Sequence, residues 1–257
     1  MLRRSNNGAR ASAEACALLL AVTACAPAPA TSVTDNAAMA RQLAADSAFR
    51  NDYADLARYR AANATFAPPV PGEQRVVFLG NSITDGWAQH FAEMFPGKPY
   101  IGRGISGQTT PQMLVRFHAD VVALKPAAVV ILGGTNDIAG NTGPSTNAMI
   151  QDNLQAMTEI AQANGIRVVL SSILPVYDYP WRPGLTPAPR IVAVNAWMKT
   201  YAARVGATYL DYHSAMSDDR QGLRAEFGDD GVHPNMAGYR VMAGLAARAI
   251  DEVLRRR

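Results

Sequence analysis

The sequence predicts an α/β protein, a three-layer α/β/α sandwich around a central, mainly parallel sheet of about five strands. Three observations carry that prediction. Short apolar runs, most of them rich in Val, Ile and Leu, recur at 75–80, 99–102, 127–134, 166–174 and 207–212. Stretches with helical apolar spacing separate or follow them, at about 84–95, 109–124, 145–164, 189–205 and 236–254. Small and polar residues gather where the runs stop. A strand that is apolar throughout, rather than at every second residue, is buried on both faces, and helices on both sides of a parallel sheet achieve that. In such sheets ligands bind outside the carboxyl ends of the strands.

The chain of 257 residues suits one sizeable domain, and 49% hydrophobic residues are ample for its core. Of a formal charge of +3, much lies at the two ends, at Arg3, Arg4 and Arg10 and at Arg255, Arg256 and Arg257. No basic face is therefore expected to hold nucleic acid. Residues 1–25 read as a signal peptide. A positive start leads into the apolar run "ACALLLAVTA", which is too short to span a bilayer. The sequence "VTAC" resembles a bacterial lipoprotein lipobox. That resemblance implies cleavage before Cys25, lipidation of its thiol, and a place on the periplasmic face of a membrane; plain export to the periplasm or outside the cell, and a cytoplasmic protein whose start is miscalled, are the alternatives. The only membrane attachment expected is the lipid anchor, firm with two or three chains and marginal with one. With Cys16 in the signal and Cys25 lipidated, no thiol remains for a disulfide or a metal.

Residues 26–36, rich in Ala, Pro, Thr and Ser, read as a tether. Over 37–63, Leu43, Phe49, Tyr53, Leu56 and Tyr59 recur near helical spacing, which predicts one amphipathic helix within an N-terminal extension of 37–72. The prolines of "FAPPVPG" end it. The main domain is expected over 73–257.

The strand ends carry the chemistry. "RVVFLG" is followed by Asn81-Ser82, and "PYIG" by Arg103-Gly104-Ile105-Ser106-Gly107. "AAVVILGG" is followed by Thr135-Asn136-Asp137, and the last strand by a loop holding Asp229-Asp230-Gly231-Val232-His233-Pro234. A serine hydroxyl becomes a nucleophile when a base takes its proton, and the base needs an orienting acid. Of the four histidines, His90 and His118 fall in helical stretches and His213 follows the last strand. His233 has Asp230 three residues before it, so one loop supplies both base and carboxylate. Alone, such a histidine reads as a surface-loop residue before a proline turn. Donors for a developing oxyanion are the backbone N–H groups of Ser82 and Gly107 and the side-chain amide of Asn136. Taken singly, Gly107 also reads as a turn glycine and Asn136 as a helix cap.

In this order the blocks GNSIT, GISGQTT, GGTND and DGVHP resemble those of the SGNH hydrolases, the GDSL esterases and lipases, over residues 75–254. The resemblance implies a flavodoxin-like fold and an esterase without a cofactor or metal. It also implies Ser82 as nucleophile, His233 as base, Asp230 as acid, and an oxyanion hole of Ser82, Gly107 and Asn136. Two departures stand out. Asn81 occupies a position where many members carry Asp, and Gly102 one where related sequences often carry Asn.

Other readings compete. Gly102, Gly104 and Gly107 fit a dinucleotide G-x-G-x-x-G, but no acidic residue closes the next strand. Asp85, Asp137, Asp229, Asp230 and His233 form no metal motif. A non-catalytic carbohydrate-binding module on the same fold is the alternative of another class. For substrate, the aromatic, proline-rich stretch 174–190 should overhang the site. It reads equally as a packed loop in which Trp181 shields the core or as a pocket wall, with Tyr177, Tyr179 and Trp181 as apolar or sugar-stacking surfaces and Arg182 as a polar clamp, while Trp87 is expected in the core. With no large apolar lid, the expected substrate is a short-chain ester, acetyl foremost, of a small-molecule or carbohydrate alcohol. A lysophospholipase or thioesterase acting on longer chains is the alternative. Nothing in the sequence speaks to oligomeric state.

Overall fold

The protein is described here by a computed structural model covering residues 33–255. The signal peptide, Cys25 and its lipidation, and residues 26–32 lie outside the described residues. The chain divides into two compact units, 1–44 and 45–257. Of the first, residues 33–44 are described and are helical. The predicted tether therefore ends earlier than its composition suggests, because helix α1 (Val33–Asn51) already begins within it.

The larger unit holds five parallel strands in the order β2-β1-β3-β4-β5. They are β1 (Val76–Gly80), β2 (Tyr100–Gly104), β3 (Ala128–Leu132), β4 (Arg167–Ser171) and β5 (Thr208–Leu210). All five stand where the apolar runs predict them. Residue parity divides each strand between two cores. Val77, Leu79, Val129, Ile131, Val168 and Leu170 face one layer, in which Met113, Phe117, Ile150, Leu154, Val194 and Met198 pack. Val76, Phe78, Val130, Leu132 and Val169 face the other, with Ile83, Trp87, Phe91, Tyr239, Met242 and Ile250. Both faces are dry, which is why the strands read as continuous apolar runs.

The helices are α2 (Arg60–Ala64), α3 (Ser82–Ala88), α4 (Phe91–Met94), α5 (Thr110–Asp120), α6 (Thr135–Ala139), α7 (Asn147–Ala163), α8 (Ala188–Val205), α9 (Tyr212–Met216) and α10 (Met236–Arg255). The single helix predicted over 37–63 is broken instead. The Asp52 carboxylate accepts from the N–H groups of Leu56 and Ala57 at 2.8 and 2.9 Å, and Asp55 adopts φ +52°. A short acidic side chain that satisfies nearby backbone donors offers the chain a turn in place of helix. The helix predicted at 84–95 likewise splits into α3 and α4.

β1 pairs with β2 on one side and β3 on the other, with Gly80 level with Gly104 and Leu132. The chain leaves β1 in one direction and returns past it to β3. That reversal of strand order makes the carboxyl ends of β1 and β3 the crevice where a doubly wound sheet binds ligand. Ser82 and Asn136 follow those two ends.

Candidate active site

The serine turn follows from local chemistry. Asn81 leaves the strand with φ −103° and ψ −148°, and its side-chain oxygen accepts from the Ile83 N–H at 3.1 Å. It is the N-cap of α3, a task that Asn and Asp perform about equally well. Ser82 is thus the first residue of the helix, at the edge of the sheet. α3 lies directly on β2 because Gly104 has no side chain; a Cβ there would overlap the Asp85 backbone nitrogen.

Ser82 Oγ is 2.9 Å from His233 Nε2, and His233 Nδ1 is 2.7 Å from Asp230 Oδ2. The other Asp230 oxygen accepts from the backbone N–H groups of His233 and Val232 at 2.7 and 2.9 Å. One carboxylate therefore fixes both the ring and the backbone that carries it. Asp229, the neighbouring carboxylate, reaches toward Asn235 instead. The loop is held against α3 by α10. The Tyr239 hydroxyl donates to the Ile83 carbonyl at 3.1 Å, and its ring stacks on Trp87, the planes 7° apart. Trp87 is core, as expected.

The opposite wall is built around Gln108. Its backbone carbonyl accepts from Asn136 Nδ2 at 2.9 Å, which leaves the second amide hydrogen of Asn136 for another acceptor. Its side-chain oxygen accepts from Arg116 Nε at 2.6 Å. Arg116 also donates to Asp120 and to the Gly80 carbonyl, at 2.9 and 2.8 Å. Beside them Gly107 turns at φ +79°, a conformation glycine adopts without strain, and its carbonyl accepts from Asn141.

The Gly102-Arg103-Gly104 corner receives the N-terminal segment. Arg103 donates twice to Asn63 Oδ1, at 2.9 and 2.7 Å, with its guanidinium 4.6 Å from the Tyr59 ring centre. The Tyr59 hydroxyl donates to the Gly104 carbonyl. Nor is the N-terminus of α5 open to a phosphate, because Asp137 accepts from both the N–H and the hydroxyl of Thr110.

The wall residues divide. Tyr179 is 0% exposed and its hydroxyl bonds to Thr135, so it is not the solvent-facing wall the sequence suggests. It supports Trp181, whose ring lies 5.1 Å away. Trp181 is 44% exposed and its ring is 6.2 Å from that of His233. Arg182 lies against Gly140, and Tyr177 stacks beneath Arg220 at 3.6 Å.

Partial burial raises the Asp230 carboxyl, but the three hydrogen bonds from His233 and Val232 outweigh it and hold the group below the usual carboxylate range. Burial raises Asp137 above that range despite the Thr110 bonds. Among the described residues, no three His, Cys, Asp or Glu side chains gather as a metal site, and no helix is long and apolar enough to cross a membrane.

Arg116, Gln108 and Tyr239 were not singled out by sequence reasoning. Arg116 left a signal: with Met113, Phe117 and Asp120 it lies on the stripe of α5 that must face the core.

The profile of the GDSL-like lipase/acylhydrolase family matches residues 78–241. The crystal structure of a candidate acylhydrolase from Bacteroides fragilis superposes with a TM-score of 0.77 at 45% identity, covering 79% of this chain and 99% of that one. An acetylxylan esterase of Xylanibacter ruminicola is 27% identical over 220 residues, or 71% of this chain; the chain spans only 44% of that protein's length. Esterase TesA of Pseudomonas aeruginosa is 27% identical over 172 residues, covering 65% of this chain and 79% of TesA. With its parallel sheet and the matching residues running from β1 into α10, the chain belongs to the GDSL-like lipase/acylhydrolase family of ester hydrolases.

Proposed function

We propose that the protein is a serine esterase that hydrolyses short acyl esters, acetyl foremost, through Ser82, His233 and Asp230. The observation that carries this reading is the hydrogen-bonded line Ser82 Oγ–His233 Nε2–His233 Nδ1–Asp230 Oδ2, with steps of 2.9 and 2.7 Å across the ring. His233, oriented by Asp230, takes the hydroxyl proton as Ser82 Oγ bonds to the ester carbonyl carbon. The N–H groups of Ser82 and Gly107 and the free amide hydrogen of Asn136 receive the oxyanion. The carbon–oxygen bond to the alcohol breaks, and His233 passes its proton to the departing oxygen. Water then repeats the sequence on the acyl-enzyme, releasing the acid and restoring Ser82. Similarity to an acetylxylan esterase supports an acetyl group on a carbohydrate.

Hydrolysis of p-nitrophenyl acetate, butyrate and octanoate, beside Ser82→Ala, tests the reading. Activity highest on acetate and lost in the variant is expected. Activity rising with chain length would move the assignment to a lysophospholipase or thioesterase. No hydrolysis of any ester would favour a carbohydrate-binding module.

A further inference from the structure

Between Gly107 and the ring of Trp181, which itself lies 6.2 Å from the His233 ring, opens a cavity of about 970 Å³, at the upper end of the ~300–1,000 Å³ typical of small-molecule sites. An acetyl group fills little of it. Gly107, Trp181 and Arg182 line it, together with Phe49, Tyr53 and Asp55 of the N-terminal segment. Phe49 and Tyr53 pack edge to face at 5.1 Å. They remain 46% and 37% exposed, large aromatic surface left open to solvent.

Proton delivery decides which half of the ester belongs here. The departing alcohol oxygen must come within about 3 Å of His233 Nε2. The Trp181 ring, 6.2 Å from the His233 ring, lines the cavity, so the rest of the alcohol is led past Trp181 into it. The lining also selects the alcohol's chemistry. Phe49, Tyr53 and Trp181 line it and its exposed surface is more apolar than polar, yet most of the other lining residues carry amides, hydroxyls, carboxylates or a guanidinium. A lipid chain would want a continuous apolar wall. A sugar presents flat C–H faces to aromatic rings and hydroxyls to polar groups.

The N-terminal wall is firmly held. Gln108 Nε2 donates to the Ala54 carbonyl at 2.7 Å and Gln112 Nε2 to the Tyr53 carbonyl at 2.6 Å. Gln108 is also the residue whose backbone carbonyl accepts from Asn136. We propose that this cavity binds the alcohol half of the ester, that this alcohol is an oligosaccharide, and that residues 49–55 form the wall that selects it. The proposal rests on Ser82 being the nucleophile.

The test compares kcat/KM for an acetylated xylo-oligosaccharide with kcat/KM for p-nitrophenyl acetate, in the wild type and in Tyr53→Ala, Phe49→Ala and Trp181→Ala. The ratio is expected to fall about threefold to tenfold for each ring removed. A ratio within about twofold of wild type in all three variants would overturn the proposal. Intrinsic tryptophan fluorescence of Ser82→Ala titrated with the deacetylated oligosaccharide needs none of these substitutions. A saturable change is expected, and none up to about 10 mM would overturn the proposal. Hydrolysis of p-nitrophenyl acetate retained by Ser82→Ala would instead overturn the nucleophile assignment, and it is read independently of the ratio.

Discussion

Arg116 Nη2 donates to the carbonyl of Gly80 at 2.8 Å, from a guanidinium with no solvent exposure. Gly80 ends β1, two residues before Ser82. The same carbonyl accepts from the Ile105 N–H at 3.1 Å. A buried charge in the α5 layer thus pins the serine turn and, through Gln108, the loop holding Gly107. Asp120 compensates the charge at 2.9 Å.

Removing one partner of such a pair leaves the other charged and buried. Arg116→Ala is expected to lose about 3–5 kcal/mol of stability, lowering Tm by on the order of 10 °C. Thermal unfolding measures it. Adding Asp120→Asn should restore part of the loss, because the two residues share one network.

Asn136→Ala removes the proposed oxyanion donor as well as the bond to Gln108. A loss of about 10²–10³ in kcat is expected. Steady-state kinetics on p-nitrophenyl acetate separates this from a binding defect, which would appear mainly in KM.

Asp230→Asn should cut kcat by about 10²–10⁴, because it releases the ring that Asp230 orients. It should also change stability with pH. The folded carboxyl lies below its ordinary value, so the charged form stabilises the fold. That contribution is complete above the unfolded carboxylate pKa of about 3.9 and lost as pH falls through the folded value. The Tm difference between wild type and variant should therefore be present at neutral pH and shrink in strongly acidic solution.

His213 is buried beside β5, and burial lowers its pKa against the opposing pull of Asp211. The unfolded chain then binds the proton more readily than the folded one, so stability falls with pH below about 6.5, the unfolded histidine value. Tm measured across that window should decline more steeply in wild type than in His213→Gln.

The sheet and the four long helices α5, α7, α8 and α10 were legible because their signals are local. Apolar runs with both faces buried, and helical stripes such as Met113, Arg116 and Phe117, depend on nothing beyond the segment itself. Ser82, Asp230 and His233 were legible as residue types at strand ends, and the structure brings them together. What the sequence hid depends on distant partners. Nothing local marks Tyr179 as buried under Trp181, since its bond to Thr135 spans 44 positions. Nor does it mark Gln108 as the post that joins residue 54 to residue 136. The broken N-terminal helix is intermediate, because the Asp52 turn was present as residues but outweighed by the apolar spacing around it.

The most direct test of Ser82 as nucleophile is covalent. The protein would be treated with diethyl p-nitrophenyl phosphate, digested and mapped by mass spectrometry, beside His233→Ala. A single diethylphosphoryl group on Ser82, gained as activity is lost and absent from the histidine variant, is the predicted result. Loss of activity with Ser82 unmodified, or modification at another residue, would contradict it.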